Sequence, residues 1–382
     1  MANTLTNLLP AMYSALNRVS RERIGLIPAV RRDAQTARAA IGQTVYSPVV
    51  PANTSYSITP AVDEPDTGDQ TVGAEALTIS NSVGYPIRFS GEEMKGLQNG
   101  GTYADIIQQN FEQAFRSLSN DIEADLASLT SRASRAQGTP GTAPFSTADD
   151  LTDLSATRKI LAKNGAPDGD MHMVLNLDHS ATLLGKQPTS WRVNEAGGRG
   201  DSTARYTGNM GLLQGMMIGE SGQFADHTAG TGASYLVNDA SLSAGDTVIT
   251  VDGGTGAILA GDVVTFAGDS NKYVVTSALS GSVFRIAAPG LQRDIADNAA
   301  VTVLSSYTPS LAFSSDAIVL ATRLPAAAEA DKAVDVTTIT DPVSGLTFEV
   351  RVYPEYRQTL IEVSIAWGFK MVKPEHAALL IG

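Results

Sequence analysis

His172 and His179 flank the run Met173-Val174-Leu175-Asn176-Leu177-Asp178, and with Asp178 they are side chains of the types that hold a transition metal. If Met171 to Asn176 is a strand, residues seven apart point to opposite faces and cannot easily share one ion. With four histidines and no cysteine, the chain has few donors for a closed ligand set and none for disulfides or thiol catalysis. Gly253-Gly254-Thr255-Gly256 has the glycine density of a phosphate-binding loop, but no lysine follows at Walker spacing and its flanks read as strand and turn. A tight turn is expected there. Gly219-Glu220-Ser221-Gly222-Gln223 lacks the final glycine of a nucleophile elbow. The aspartates from Asp239 to Asp297 fit no EF-hand spacing and read as solvated turn acids. Arg199-Gly200-Asp201 matches an integrin-binding tripeptide and Asn53-Thr54-Ser55 a glycosylation sequon. Both are short enough to arise by chance, and Met1-Ala2-Asn3-Thr4 does not begin a secretory signal. No catalytic, cofactor-binding or metal site is expected.

Charge is the remaining chemistry. The chain of 382 residues carries a formal net charge of −13, unevenly placed. Residues 1–42 hold Arg18, Arg21, Arg23, Arg31, Arg32 and Arg38 against Glu22 and Asp33, a net of +4, which leaves −17 to the remainder. An acidic body lacks the clustered cations that grip nucleic-acid phosphate. A basic arm ahead of it suits electrostatic contact with another copy or a partner. Between Arg38 and Arg88 there is no lysine or arginine, and that span contains Asp63-Glu64-Pro65-Asp66-Thr67-Gly68-Asp69. Opposite charge makes Arg18, Arg21, Arg23, Arg31 and Arg32 candidates to meet Asp63, Glu64, Asp66 and Asp69 of another subunit. No stretch approaches the roughly 20 apolar residues of a membrane span, so a protein made in the cytoplasm is expected.

The elements that would position these charges read as follows. Leu5, Leu8, Leu9, Met12 and Leu16 form an apolar stripe around Pro10, and Arg18 to Arg38 has too few apolar residues for a core. Such an arm needs another surface to lie on. Gln43 to Phe89 reads as extended runs broken by Pro48, Pro51, Pro60 and Pro65, a long hairpin that is marginal alone and expected to dock, with a neighbouring subunit as the candidate surface. From Tyr103 to Arg135, Phe111, Phe115, Leu118, Ile122, Leu126 and Leu129 recur at spacings of three and four, the face of a long helix stopped by Gly138, Pro140 and Gly141. Ala148 to Ala162 reads as a helix, Met171 to Asn176 as a buried strand and Thr189 to Gly208 as a loop. From about Tyr235 to Ser305 come five short β runs, at Thr247 to Val251, Asp262 to Phe266, Lys272 to Thr276, Val283 to Ala287 and Ala300 to Leu304, which suggest a small barrel or sandwich. Ser310 to Thr322 is an apolar strand-like run. Leu346 to Val352 and Ile361 to Phe369 alternate strictly about a turn at Tyr353-Pro354-Glu355, and with the long helix they make a two-layer α+β platform.

Three segments stand out locally: Gly245-Asp246-Thr247-Val248-Ile249-Thr250-Val251, Ala260-Gly261-Asp262-Val263-Val264-Thr265-Phe266-Ala267-Gly268, and Leu311-Ala312-Phe313-Ser314-Ser315-Asp316-Ala317-Ile318. With the order of elements around them, the chain resembles the major capsid protein of tailed bacteriophages, and within that group the coat proteins of short-tailed phages with an inserted β-barrel. The resemblance spans essentially the whole chain. It implies an α+β fold with an N-arm (1–42), an extended loop with its flanks (43–100), a peripheral domain with a spine helix (101–149 and 334–372), an axial domain (150–232, 306–333 and 373–382) and an inserted all-β barrel domain (233–305). It also implies a structural protein, not an enzyme, that assembles into pentamers and hexamers of an icosahedral head in the host bacterial cytoplasm. The implied partners are other copies of itself, a scaffolding protein, a portal protein at one vertex and packaged double-stranded DNA without sequence-specific contacts. No cofactor and no membrane are implied. Some relatives crosslink a lysine of the extended loop to a neighbour's asparagine; no lysine precedes Lys95 here, so no such crosslink is expected. The alternative is an encapsulin-like bacterial nanocompartment shell of the same fold. A secreted adhesin built on β-modules is disfavoured by the missing signal and the long helix.

Overall fold

A computed structural model describes residues 22–49, 58, 60, 73–99, 103–147, 150–185, 210–240, 242–328, 331–341 and 344–382. The expected contact residues Arg18, Arg21, Asp63, Glu64, Asp66 and Asp69, like the loop from Thr189 to Gly208, lie outside the described residues.

The described chain opens in one helical turn, α1 (Leu26–Ala29), and extends into β1 (Arg31–Ala39). Strands β2 (Thr44–Val49) and β3 (Gly73–Thr78) form an antiparallel hairpin running from Thr44↔Thr78 to Val49↔Gly73. After β4 (Asn81–Ser90) comes α2 (Gly91–Asn99), started by a capping box: the Glu93 N–H donates to Ser90 Oγ at 3.2 Å and the Ser90 N–H to Glu93 Oε2 at 2.8 Å. Helix α3 (Tyr103–Ser128) is the spine, and the six apolar residues of its predicted face are all buried. It ends before the expected Arg135 because Ser128, Thr130 and Ser131 turn their hydroxyls onto the carbonyls of Asp125, Ala127 and Ser128, which tightens Leu129–Arg132 into a 3-10 turn.

Beyond the spine lie β5 (Arg135–Gly138), α4 (Thr152–Lys163), β6 (Met171–Asn176), α5 (Leu177–Gly185), β7 (Leu212–Leu213) and β8 (Met216–Ser221). Six short strands follow: β9 (Tyr235–Val237), β10 (Val248–Asp252), β11 (Val263–Phe266), β12 (Lys272–Ser280), β13 (Val283–Ile286) and β14 (Ala300–Val303). The chain closes with β15 (Pro309–Ser314), β16 (Ile318–Pro325), β17 (Asp335–Thr340), β18 (Thr347–Glu355), β19 (Gln358–Met371) and β20 (Ala377–Ile381).

Mixed α+β structure with far more strand than helix results, arranged among the described residues around three large cores and a small one of Ala39, Leu77, Ile79, Val319, Ala321 and Ala366 at the hairpin base. The first sheet runs β1-β16-β19-β18-β17, with β4 on the other edge of β19. The spine lies on it, with Phe115 against Phe348 at 5.2 Å between ring centroids and Trp367 buried nearby. The second sheet runs β5-β20-β15-β6-β8-β7 and is covered by α4 and α5, with Leu154, Leu161, Met173 and Leu380 in its core. The six short strands pair in the order β9-β10-β13-β12-β11-β14 and back to β9, so they close on themselves around Val237, Ile249, Phe266, Tyr273, Phe284 and Val301. This ring meets the second sheet through β12 and β5, paired at Tyr273↔Arg135 and Lys272↔Ala136.

Several boundaries differ from the sequence reading. The apolar run Ser310 to Thr322 is two strands, parted by a 3-10 turn at Ser315–Ala317 and sent to different sheets. Residues 306–333, kept together in the expected axial domain, are therefore divided by strand pairing, β15 with β20 and β6, β16 with β19 and β1. The turn between β18 and β19 lies at Tyr356-Arg357 rather than Tyr353-Pro354-Glu355, because Glu355 still pairs with Gln358 and Arg357 takes the positive φ, 58°. The arm also finds a surface on its own subunit: β1 pairs in parallel with β16, and Leu26, Ile27 and Val30 enter the spine's core.

Candidate functional site

Arg199-Gly200-Asp201 and Asn53-Thr54-Ser55 lie outside the described residues, and of the described residues first singled out for chemistry none is assembled for it. His172, on β6, has its Nε2 3.2 Å from Asp170 Oδ1, whereas His179 is on α5, buried, with Nδ1 2.7 Å from Ser310 Oγ. Burial pushes the His179 imidazole below its ordinary pKa. Ser315 donates to Asp170 and not to an imidazole, so no activated nucleophile results. Gly253 and Gly256, with φ of 70° and 86°, make a turn bridged to Ala233, and Ser221 is buried in β8. Among the described residues no group of three or more His, Asp or Glu side chains is placed to hold a metal.

The arm is where charge and burial converge. Arg23 reaches Glu220 at 3.5 Å, Arg31 reaches Asp316 at 3.0 Å, and Arg32 donates to the Ser344 carbonyl. The three described candidate arginines thus have partners within the chain. Residues that charge reasoning passed over hold the arm more firmly. Glu22 accepts from Arg116 Nε at 3.1 Å and from the Asn120 amide, and the Arg116 guanidinium, followed by Asn120, holds its carboxyl down at about 2. Glu123, fully buried on the spine, accepts the backbone N–H groups of Gly25, Leu26 and Ile27 at 2.7, 2.8 and 2.9 Å. Burial raises its pKa; the N–H donors and Ser221 oppose that rise. Three orphan donors at the start of α1 are satisfied by a side chain from another helix. Asp33 binds Arg323 at 2.8 Å, and Arg38 donates to the buried Glu349 at 3.0 Å, which also pairs with Arg351 at 3.1 Å. The one sequence signal for Glu123 is a carboxylate between Ile122 and Leu126 on an otherwise apolar arc.

The hairpin of β2 and β3 contrasts with this clasp. Its base is fixed by Gly42 N–H to Ile79 O and Ile79 N–H to Gln43 O, both 2.9 Å, and by Lys370 pairing with Glu75. Gly368 permits the approach, since a Cβ there would meet the Thr78 carbonyl. Leu77 is buried at the base, but Ile41 and Tyr46 are 65% and 68% exposed. Such a hairpin has no core of its own.

No protein-family model matches the sequence, and no curated protein matches it. Solved structures with a similar chain course include phage capsids. A chain of Mycobacterium phage Che8 is 13% identical over 89% of this chain and 84% of that one, with a TM-score of 0.46. The capsid structure of cyanophage P-SCSP1u is 12% identical over 94% and 88%, with a TM-score of 0.49. A virus-like particle from Pyrococcus furiosus is 11% identical over 97% and 96%, with a TM-score of 0.42.

Proposed function

We propose that this chain is a shell-forming structural protein, the major capsid protein of a tailed phage, assembled as pentamers and hexamers of an icosahedral head around double-stranded DNA. The observation that carries the proposal is the hairpin of β2 and β3. It leaves the body at a fixed base and exposes Ile41 and Tyr46, which a monomer gains nothing by presenting and a neighbouring copy can cover. The spine on a sheet of long strands and the second sheet carrying a closed ring of short strands support the same reading. In it, 1–42 is the N-arm, 43–100 the extended loop and 233–305 the inserted barrel domain. The peripheral domain is built on 101–149 and 334–372, the axial domain on 150–232, 306–333 and 373–382, and β16 joins the two. Scaffolding protein, a portal protein and packaged DNA are the proposed partners. With Arg23, Arg31 and Arg32 engaged inside the chain, the arm is a weaker proposed partner for Asp63 to Asp69 of another copy than its charge alone suggests.

Content distinguishes a genome-filled head from an encapsulin-like compartment. Particles isolated from cells carrying the neighbouring genes should protect double-stranded DNA from nuclease. Particles holding a single protein cargo and no nucleic acid would overturn the phage reading while leaving the shell role standing.

A further inference from the structure

A cleft of about 720 Å³ opens where the end of the spine, the outer wall of the closed ring and the far end of β19 meet. Arg132, Ser131, Thr276, Arg285, Phe369 and Lys370 line it. Arg132 ends the 3-10 turn that follows the spine, and Arg285 is an outward residue of β13, whose neighbours Phe284 and Ile286 point into the ring's core. Among the described residues neither guanidinium has a hydrogen-bond or ion-pair partner, although the chain as a whole is acidic by 13 charges. Lys370 adds a third positive charge and is paired with Glu75. Arginines from two elements therefore face one cleft without an anion, beside hydroxyls and the partly exposed apolar side chains of Phe369 and Pro374.

We infer that this cleft is the dock for an acidic, proline-containing segment of a second copy of the chain, the stretch from Asp63 to Asp69; the inference rests on the self-assembly reading above. Charge complementarity selects this occupant. Four carboxylates fall within seven residues of a span that has no cation between Arg38 and Arg88, and Pro65 sits between Glu64 and Asp66. Guanidinium groups take carboxylates in the two-pronged geometry that suits them, and the proline ring suits the apolar surface beside them. Nucleic acid fits less well, because the rest of the surface would repel a polyanion. A segment seated there would touch the spine, the ring and the sheet end together, so it would fix the ring's position relative to the spine.

The test uses the full chain and a labelled peptide of residues 61–72 at low ionic strength. The peptide should bind, and should bind about tenfold more weakly to the variant Arg132→Glu/Arg285→Glu, which alters exposed side chains and should keep its fold by circular dichroism. A peptide with the four acids replaced by their amides should lose binding to the same degree, and added salt should weaken the contact. Equal binding by the double variant or by the amide peptide would overturn the dock. So would a short duplex DNA that displaces the peptide at equal charge concentration. Mixing then tests the second-copy claim. Chains carrying Arg132→Glu/Arg285→Glu and chains carrying Asp63→Lys/Glu64→Lys/Asp66→Lys/Asp69→Lys should each assemble poorly, while a variant carrying both sets should recover. Unimpaired shells from the double variant would sink the inference and leave the shell reading intact. Peptide binding by a protein that never assembles would do the reverse.

Discussion

Glu123 is the residue on which the arm's position depends most. Its carboxylate replaces water for three backbone donors in a buried site, so Glu123→Ala should leave Gly25, Leu26 and Ile27 N–H groups unpaired and cost about 3 kcal/mol in urea denaturation of the unassembled chain. Glu123→Gln keeps one acceptor oxygen and should cost less. A loss below about 0.5 kcal/mol for the alanine variant would mean the donors find water and the clasp is incidental. Glu22 gives a pH signature of defined sign. Its folded pKa, lowered from 4.5 to about 2 by Arg116 and Asn120, makes its contribution fully present above 4.5 and lost as pH falls toward 2. The stability difference between the native chain and Glu22→Gln should therefore be constant near neutrality and shrink across that window. A difference that grows on acidification would contradict the assignment. Glu123 works in the opposite direction, since burial raises its pKa and part of its contribution is lost as pH rises through that raised value. Charge counting found the basic arm but not these partners, because Arg116, Asn120 and Glu123 lie roughly a hundred residues away and no local pattern pairs them.

At the level of elements, legibility followed periodicity. The spine and the β18–β19 pair were plain in the sequence because each carries one large apolar face over many residues, so the period repeats, although in the strands the opposite face, with Glu349, Arg351 and Ser364, is buried as well. The spine's end was missed by seven residues, since its stop comes from hydroxyls in Ser128, Thr130 and Ser131 and not from the glycines beyond. The α2 start was present but unread, as Ser90-Gly91-Glu92-Glu93 is a capping box. Strand β1 was illegible: Arg31 to Arg38 is polar and joins its sheet through backbone pairing with β16 and through side-chain contacts with Asp316, Arg323, Ser344 and Glu349. Five strands of the closed ring were placed within a few residues, while β9, only three residues long, had no period to show. The hairpin of β2 and β3 offers the element-scale prediction. Ile41→Ser with Tyr46→Ser changes exposed side chains, so melting of the unassembled chain should stay within about 2 °C while the sedimenting assembled fraction falls. An unchanged assembled fraction would show that these side chains touch no neighbour.

Across the whole molecule, the arm ties the spine to both sheets. The segment Glu22 to Ala39 touches the spine through Arg116 and Glu123, β8 through Glu220, and the first sheet through Arg323 and Glu349. A shift of the arm would therefore be felt by the spine and by both sheets at once, which is the coupling a shell subunit needs if its copies are to adopt related but unequal positions. In the proposed shell, the hairpin with its exposed Ile41 and Tyr46 is the part left for a neighbour. Electron microscopy of the purified full chain, made with and without its neighbouring genes, tests this most directly. Closed shells of five- and six-membered rings, with the hairpin of one copy lying on the next, are the predicted result; monodisperse monomers under every condition would contradict it.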